Sequence, residues 1–213
     1  MRLSLIGMAG SGKSYWSRKL SGQGFTRFCC DDMIADKLAL ELKRPDGKTL
    51  KVTEWMGFPY EPYYAERESR YLAYETEVMR EIIEYLEHPD NIGEQNIVID
   101  TTGSVIYTGH EILIDLKRLS TVVHFETPPE VQDQLLKEYI SEPHPMLWQN
   151  TFTKKPHESK RQALIRCYPS LFSSRQQLYE RYAEVTLDYF ALRNKDFGID
   201  DFLRDVEMKS KEN

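Results

Sequence analysis

The residues best suited to chemistry lie within the first fourteen positions of the chain. The stretch GMAGSGKS, Gly7 to Ser14, fits the pattern G-x-x-x-x-G-K-[S/T] at every fixed position. Gly10 and Gly12 let main-chain N–H groups converge on an anion, because no Cβ stands in the way. Lys13 can neutralise the outer phosphates, and the Ser14 hydroxyl can ligate Mg²⁺. The spacing therefore predicts a nucleoside triphosphate site.

The predicted nucleotide-binding residues are Gly10, Ser11, Gly12, Lys13, Ser14 and Tyr15. An apolar stretch leads into the loop and a helical pattern follows it, which disfavours an ordinary glycine-rich turn. The positive end of that helix adds to the attraction for phosphate. GTPases, motor ATPases and small-molecule kinases share this loop. The length of 213 residues and the absence of an N-K-x-D sequence favour a small-molecule kinase.

Carboxylates follow two of the apolar runs and are candidates for acid–base or metal chemistry. Asp31 and Asp32 come after the second run, where one of them could hold Mg²⁺ or accept the proton of an attacking hydroxyl. Capping of the next helix is the alternative for either residue. Asp100 follows three β-branched residues and resembles a magnesium-site carboxylate. The predicted catalytic residues are Lys13 and Asp32, and the predicted metal ligands are Ser14, Asp31 and Asp100.

The elements that must position these residues alternate along the chain. Apolar or β-branched runs predict buried strands at residues 3–6, 25–29, 96–99, 121–125 and 185–187. Helical patterns occupy residues 13–20, 32–42, 63–87, 109–119 and 128–140. Such alternation predicts an α/β fold with a mostly parallel sheet, with ligands bound at the carboxyl ends of the strands.

One domain is expected over residues 1–213, because no repeat or low-complexity linker divides the chain. Residues 43–62 carry several prolines and glycines and predict an irregular excursion, and the candidate acceptor-side region extends to residue 70. Residues 141–174 are basic and contain four prolines, so we expect a mobile lid over the phosphates. A solvated connector with one surface helix is the alternative. From residue 200 onward we expect a short helix followed by a frayed end.

Charge and composition exclude several partners. The net charge is −6, which argues against non-specific binding of nucleic acid. Three cysteines at these spacings form neither a disulfide framework nor a zinc site, and we expect a reducing compartment. No stretch has the character of a signal peptide or a membrane span. A cytoplasmic protein, a monomer or weak oligomer without membrane contact, is therefore expected.

In their order and spacing these motifs resemble those of the shikimate kinases. The matching stretches are Thr102-Gly103-Ser104-Val105 (a glycine turn), residues 122–127 (the strand after it), residues 144–147 (the end of a lid) and residues 175–180 (a late R-x-x-L-Y-E motif). The resemblance implies a three-layer P-loop NTPase fold, similar to nucleoside-monophosphate kinases, with a central five-stranded parallel sheet and a mobile lid. It also implies use of ATP and Mg²⁺ to phosphorylate a hydroxyl of a small anionic metabolite.

The resemblance also implies roles for individual acceptor-side residues. Asp32 matches the aspartate beside the acceptor hydroxyl, and Gly103 matches a glycine whose backbone approaches the acceptor. Arg175 matches an arginine that grips the acceptor carboxylate, a task suited to its planar fork of donors. Arg67 is the predicted substitute for a further acceptor-binding arginine, whose own position is occupied by Ala65.

Other positions depart from the family pattern. Cys30 stands where the first aspartate of a D-x-D motif is expected, and the two lid arginines fall on Ile140 and His144. These departures indicate an altered acceptor pocket. They leave three alternatives open: a sugar acid as acceptor, a nucleotide as acceptor, or a nucleotide-binding module that has lost phosphotransfer.

Overall fold

The computed structural model describes residues 1–91, 93 and 96–211. Within these residues five strands form one parallel sheet in the order β2-β3-β1-β4-β5. The strands are β1 (Arg2–Ile6), β2 (Thr26–Cys29), β3 (Ile97–Asp100), β4 (Thr121–Phe125) and β5 (Val185–Leu187). In register, Leu5 of β1 lies opposite Asp100 of β3. The carboxyl ends of the central strands therefore meet at one edge, as the α/β pattern predicts.

Helices cover both faces of the sheet. They are α1 (Lys13–Ser21), α2 (Cys30–Lys37), α3 (Val52–Met56), α4 (Tyr64–Glu87), α5 (His110–Leu119), α6 (Gln132–Ser141), α7 (Lys160–Tyr182) and α8 (Ile199–Lys209). Alternate residues of β3 separate two cores: Ile97 and Ile99 pack with α4 and α7, whereas Val98 packs with α1 and α8. The three-layer α/β fold with a central five-stranded parallel sheet is confirmed.

The predicted strands are correct to within one residue, and most predicted helices are present. Helix α2 ends at Lys37, short of the predicted residue 42. The excursion at residues 43–62 contains an unpredicted helix, α3, whose Trp55 and Met56 are buried. The predicted C-terminal helix is α8, and residues 212 and 213 of the expected frayed end lie outside the described residues.

The segment predicted as a lid is divided between a loop and a helix. Residues 142–159 have no helix or strand, whereas residues 160–174 belong to α7, which runs through Pro169 to Tyr182. A proline inside a helix costs about 3 kcal/mol. Burial of Leu164, Leu171 and other side chains of α7 offsets this cost, so tertiary packing overrides the local signal.

The loop at residues 142–159 is packed onto the core. Leu147 and Trp148 are fully buried. Tyr64 Oη donates to the Met146 carbonyl at 2.6 Å, and Gln149 N donates to Glu68 Oε1 at 3.0 Å. Mobility of this loop as a lid stays a prediction.

No helix within residues 1–91, 93 and 96–211 is both long and apolar enough to span a bilayer.

Candidate active site at the carboxyl edge of the sheet

The glycine-rich loop connects β1 to α1 at the carboxyl edge of the sheet. Gly7 has a φ of 141°, and a Cβ there would lie 2.7 Å from the Phe125 carbonyl oxygen. Gly10 has a φ of 81°, and a Cβ there would lie 2.8 Å from Leu135 Cδ2. A side chain at Gly7 is therefore excluded by conformation and by space, whereas a side chain at Gly10 is disfavoured by the positive φ, since the flexible end of Leu135 could move aside. The loop forms a tight cradle at the N-terminus of α1, where a phosphate is favoured.

Lys13 lies inside this cradle. Its Nζ donates to the carbonyl oxygens of Gly7 at 2.8 Å and Met8 at 3.0 Å. The side chain is almost completely buried. Burial lowers the pKa of Lys13 to about 8, although the carboxylates of Asp100 and Asp31 oppose the shift. An anion between the loop and Lys13 would supply the counter-charge that this ammonium lacks.

Arg193, which follows β5, holds the loop from outside. Its guanidinium donates to the Gly10 carbonyl at 2.8 Å and to the Ser11 carbonyl at 3.1 Å. It also stacks on the ring of Tyr189, 3.5 Å from the centroid. Because C=O and N–H of a trans peptide point in opposite directions, this contact turns the Gly12 N–H away from Arg193. The sequence carries no signal for this contact, since the residues it joins are about 180 positions apart.

Asp100, at the end of β3, contacts the residue predicted to ligate Mg²⁺. Ser14 Oγ donates to Asp100 Oδ1 at 3.2 Å, and Ser17 Oγ donates to Oδ2 at 2.8 Å. Arg27 pairs with the same Oδ2 at 2.5 Å. The structure thus brings the predicted ligands Ser14 and Asp100 together.

The Ser14 hydroxyl and the Asp100 carboxylate offer oxygen atoms at this site. Hydroxyl and carboxylate oxygens are ligands that Mg²⁺ accepts, and in nucleotide sites this ion takes several further ligands from phosphates and water. In the described part of the chain, no three His, Cys, Asp or Glu side chains are grouped closely enough to hold a metal. The residues at Ser14 fit a magnesium ion carried by a nucleotide.

A cavity of about 610 Å³ opens next to the cradle. Its lining residues are Ala9, Gly10, Gly12, Lys13, Ser14, Tyr15, Asp31, Asp32, Ala35, Val52, Tyr71, Thr101, Thr102, Gly103, His144 and Pro145. Eight of the residues predicted from the sequence are in this set. Ser11 is buried, and its hydroxyl has no hydrogen-bond partner in the described structure. Asp100, Arg67 and Arg175 do not line the cavity.

Two carboxylates reach the cavity from the first turn of α2. Asp31 and Asp32 lie side by side there, with the chain entering α2 from β2. The Asp31 side chain is exposed to the cavity, yet the protein atoms around its carboxylate desolvate it and raise its pKa. Tyr71 Oη of α4 donates to Asp31 Oδ1 at 3.4 Å. Both aspartates therefore line the same cavity as Lys13.

The two predicted acceptor-binding arginines are used in main-chain contacts. Arg175 is buried; its Nη1 donates to the Gly103 carbonyl at 3.0 Å and its Nη2 to the Leu147 carbonyl at 2.7 Å. Arg67 donates to the Trp55 carbonyl and stacks on the ring of Tyr63. The structure therefore places Arg175 behind the wall formed by Gly103 and places Arg67 outside the cavity. These contacts do not bring either arginine next to Asp32 in the cavity, so their binding of an acceptor stays a prediction.

Glu75 of α4 is a buried carboxyl group that sequence reasoning missed. It is fully buried and accepts hydrogen bonds from the hydroxyls of Thr102 and Ser104, the residues on either side of Gly103. Burial raises the pKa of Glu75 to about 7, although these hydrogen bonds oppose the shift. The available signal was its position on the apolar face of α4, four residues after Tyr71 and three before Val78. Glu75 supports the turn that forms one wall of the cavity.

Replacing Glu75 by glutamine is expected to change how stability depends on pH. Because the folded-state pKa is raised from 4.5 to about 7, the carboxyl group contributes stability below pH 4.5 and loses it as the pH rises to about 7. The Glu75→Gln variant should lack this loss and be more stable than the parent at pH 8 by about 1 to 3 kcal/mol. Urea unfolding at pH 5 and pH 8 measures the difference, with exposed Glu84→Gln as control. Equal pH dependence in parent and E75Q would contradict the expectation.

Neither a protein-family model nor a curated protein matches the sequence. Solved structures with the same fold include the shikimate kinase of Aquifex aeolicus, with a TM-score of 0.58, 19% identity, and coverage of 100% of this chain and 98% of that chain. The shikimate kinase of Acinetobacter baumannii, in complex with shikimate, gives a TM-score of 0.60 and 20% identity, with coverage of 98% of this chain and 90% of that chain. The shikimate kinase of Bacteroides thetaiotaomicron gives a TM-score of 0.58 and 14% identity, with coverage of 100% of this chain and 95% of that chain.

These likenesses extend over essentially the whole chain. At such identities they establish the fold: the protein has the α/β P-loop fold seen in shikimate kinases, as the sequence motifs predicted.

Proposed function

We propose that this protein is an ATP-dependent phosphotransferase that phosphorylates a hydroxyl group of a small molecule. The observation that carries the proposal is the position of Lys13 and Asp32 on one cavity. The cradle with Lys13 suits the transferable phosphate, and Asp32 suits the hydroxyl that attacks it. Their arrangement in the fold of a known small-molecule kinase supports the same conclusion.

In the proposed reaction, the loop amides and Lys13 hold the β- and γ-phosphates. The acceptor oxygen forms a bond to the γ-phosphorus as the bond to the β-phosphate oxygen breaks, and ADP leaves. Asp32 accepts the proton of the acceptor hydroxyl. Ser14, with Asp100 behind it, would hold Mg²⁺, which supplies charge neutralisation at the phosphates. Positioning and electrostatic stabilisation provide most of the rate enhancement in this type of reaction.

The sequence motifs imply a shikimate-like, anionic acceptor in an altered pocket, with a sugar acid or a nucleotide as alternatives. Shikimate is the ligand of the Acinetobacter baumannii enzyme. A small-molecule partner, a cytoplasmic location and a monomeric or weakly oligomeric state belong to the same proposal.

A second candidate function is nucleotide binding without phosphotransfer. It is favoured by the main-chain contacts of Arg67 and Arg175 and by His144 in place of a lid arginine. This function predicts ATP binding with no acceptor-stimulated release of ADP.

The experiment that tests the proposal measures ADP release in the presence of ATP and Mg²⁺. Shikimate, gluconate, nucleosides and nucleoside monophosphates are added one at a time, and ATP binding is measured by calorimetry in parallel. Acceptor-stimulated ADP release supports a kinase. ATP binding without stimulation by any acceptor, including those introduced below, supports the second candidate.

The affinity for ATP is expected to depend on pH through Lys13. The pKa of Lys13 is about 8 in the free protein, so its ammonium loses its proton as the pH rises above 8. Phosphate contact requires the charged form, so the Kd for ATP should be flat near pH 7 and rise by up to about tenfold per pH unit above pH 8. Calorimetric titrations between pH 7 and 9.5 measure this slope. The Lys13→Arg variant stays charged and should lack it; an equal slope in both proteins would assign the titration to another group.

A further inference from the structure

The charged groups that face the cavity suggest what the acceptor is. Among the described residues, the charged side chains that line it are Lys13, Asp31 and Asp32. Lys13 lies within the phosphate cradle and would be neutralised by the nucleotide. The remaining charge on the acceptor side is therefore negative.

The two arginines predicted to bind an acceptor make hydrogen bonds to the main chain instead. Arg175 gives its two terminal nitrogens to the Gly103 and Leu147 carbonyls, and Arg67 gives one to the Trp55 carbonyl. Arg175 Nε is buried without a hydrogen-bond partner among the described residues. Neither Arg175 nor Arg67 is among the residues that line the cavity. Neither guanidinium is therefore presented to a ligand in the cavity for bidentate binding.

His144 occupies a position where the shikimate kinase motif has a lid arginine. It lines the cavity, and its Nε2 is buried without a hydrogen-bond partner among the described residues. Burial and the nearby Arg175 and Lys13 lower its pKa to about 4, so the imidazole is neutral near pH 7. The substitution removes a positive charge and leaves a neutral polar atom.

Several hydroxyl groups on the wall are already engaged. Thr101 Oγ1 donates to the Leu5 carbonyl at 2.6 Å, and Thr102 Oγ1 donates to Glu75. Tyr71 Oη donates to Asp31. The groups on the acceptor side that can still form hydrogen bonds are mainly the carboxylate oxygens of Asp31 and Asp32. When ionised, a carboxylate accepts hydrogen bonds and donates none. A suitable ligand must therefore donate hydrogen bonds.

We propose that the phosphate acceptor is an uncharged or cationic polyhydroxylated molecule, such as a sugar or an amino sugar, and that carboxylic and phosphoric acids are disfavoured. The inference rests on the proposed kinase function and replaces the anionic acceptor implied by the sequence motifs. Hydroxyl or ammonium donors satisfy Asp31 and Asp32, whereas an anion beside the same carboxylates is repelled.

The test compares acceptors that differ mainly in charge. Glucose, glucosamine and gluconate form one matched set, and methyl shikimate and shikimate form another. Acceptor-stimulated ADP release gives kcat/KM for each, and calorimetry on the protein with ADP and Mg²⁺ gives each Kd. We expect the uncharged or cationic member of each set to exceed its anionic partner by about tenfold or more in either measurement.

A charge introduced at His144 provides an internal check. The His144→Arg variant should shift selectivity toward gluconate and shikimate by about tenfold relative to the parent. His157→Arg, which adds the same charge at an exposed site, should leave the selectivity unchanged. Thermal unfolding verifies that both variants are folded. If H144R does not fold, the smaller His144→Lys substitution replaces it.

The outcomes separate this inference from the proposed function. Anionic members that equal or exceed their matched partners, in turnover or in affinity, overturn the inference while leaving a kinase. The inference is also overturned if the matched acceptors do not differ in kcat/KM or in Kd, or if none of them binds. In a third outcome, the uncharged or cationic members bind more tightly than their anionic partners but none stimulates ADP release. This outcome supports the inference about the pocket and contradicts phosphotransfer.

Discussion

Replacing Lys13 by alanine is expected to lower acceptor-stimulated ADP release by about 100- to 1,000-fold. In the proposed mechanism, Lys13 is the charged side chain that contacts the transferring phosphate from within the cradle. The nearby Arg193 cannot replace it, because its guanidinium binds the outer carbonyls of Gly10 and Ser11. A coupled assay at saturating acceptor measures kcat, and calorimetry reports the accompanying loss of ATP affinity.

Loss of activity in this variant should not result from unfolding. The pKa of Lys13 is lowered in the folded protein, so the charged ammonium opposes folding at any pH below its ordinary value of 10.5, and most fully below about 8. Lys13→Ala removes this cost and should unfold no more easily than the parent at pH 7. Lys195→Ala, at an exposed site, is the matched control and should retain full activity. A K13A protein that turns over at the parent rate would exclude the proposed role of the cradle.

Replacing Asp32 by asparagine should lower kcat by about 100- to 10,000-fold, the range expected when a general base is removed. Asparagine has nearly the same shape but accepts a proton poorly, so the acceptor hydroxyl would be oriented without being deprotonated. The affinity for ATP should stay unchanged, because the cradle is separate from the first turn of α2. Steady-state kinetics for kcat and calorimetry for ATP affinity distinguish these effects.

Two further variants on α2 sharpen this test. Asp36→Asn lies one helical turn later at an exposed position and should be fully active. Asp31→Asn should instead raise the Mg²⁺ concentration needed for half-maximal activity if Asp31 serves the metal, as the sequence predicts. If Asp31→Asn lowers kcat strongly and Asp32→Asn does not, Asp31 is the general base and Asp32 is not.

The local parts of the site were the most predictable from sequence. A glycine loop depends on conformations and close approaches that few other residues allow, so Gly7 and Gly10 carry a signal that needs no knowledge of the rest of the chain. The strands were similarly predictable, because short β-branched runs between helical patterns are typical of a buried parallel sheet. Local sequence was less reliable at α7, where packing of buried side chains overrides the signal from Pro169.

The partners of the charged side chains around the cavity could not be predicted from local sequence in this way. Arg67 and Arg175 have the residue type that binds carboxylates, but their partners are main-chain carbonyls contributed by distant segments. Glu75 looked like an ordinary residue on a long helix, yet it is buried under the turn at Gly103. A hydrogen-bond partner far along the chain leaves no trace in the spacing of nearby residues.

The sequence by itself determined that this chain forms a phosphate cradle on a parallel α/β sheet, because glycine conformation, helix periodicity and strand composition are local properties. Only the tertiary structure decided which charges face the cavity. It brought Asp31, Asp32 and a neutral His144 to one cavity and directed both arginines to main-chain carbonyls. Which side chains are exposed to a ligand depends on how distant segments pack and satisfy one another, and that is a property of the folded chain.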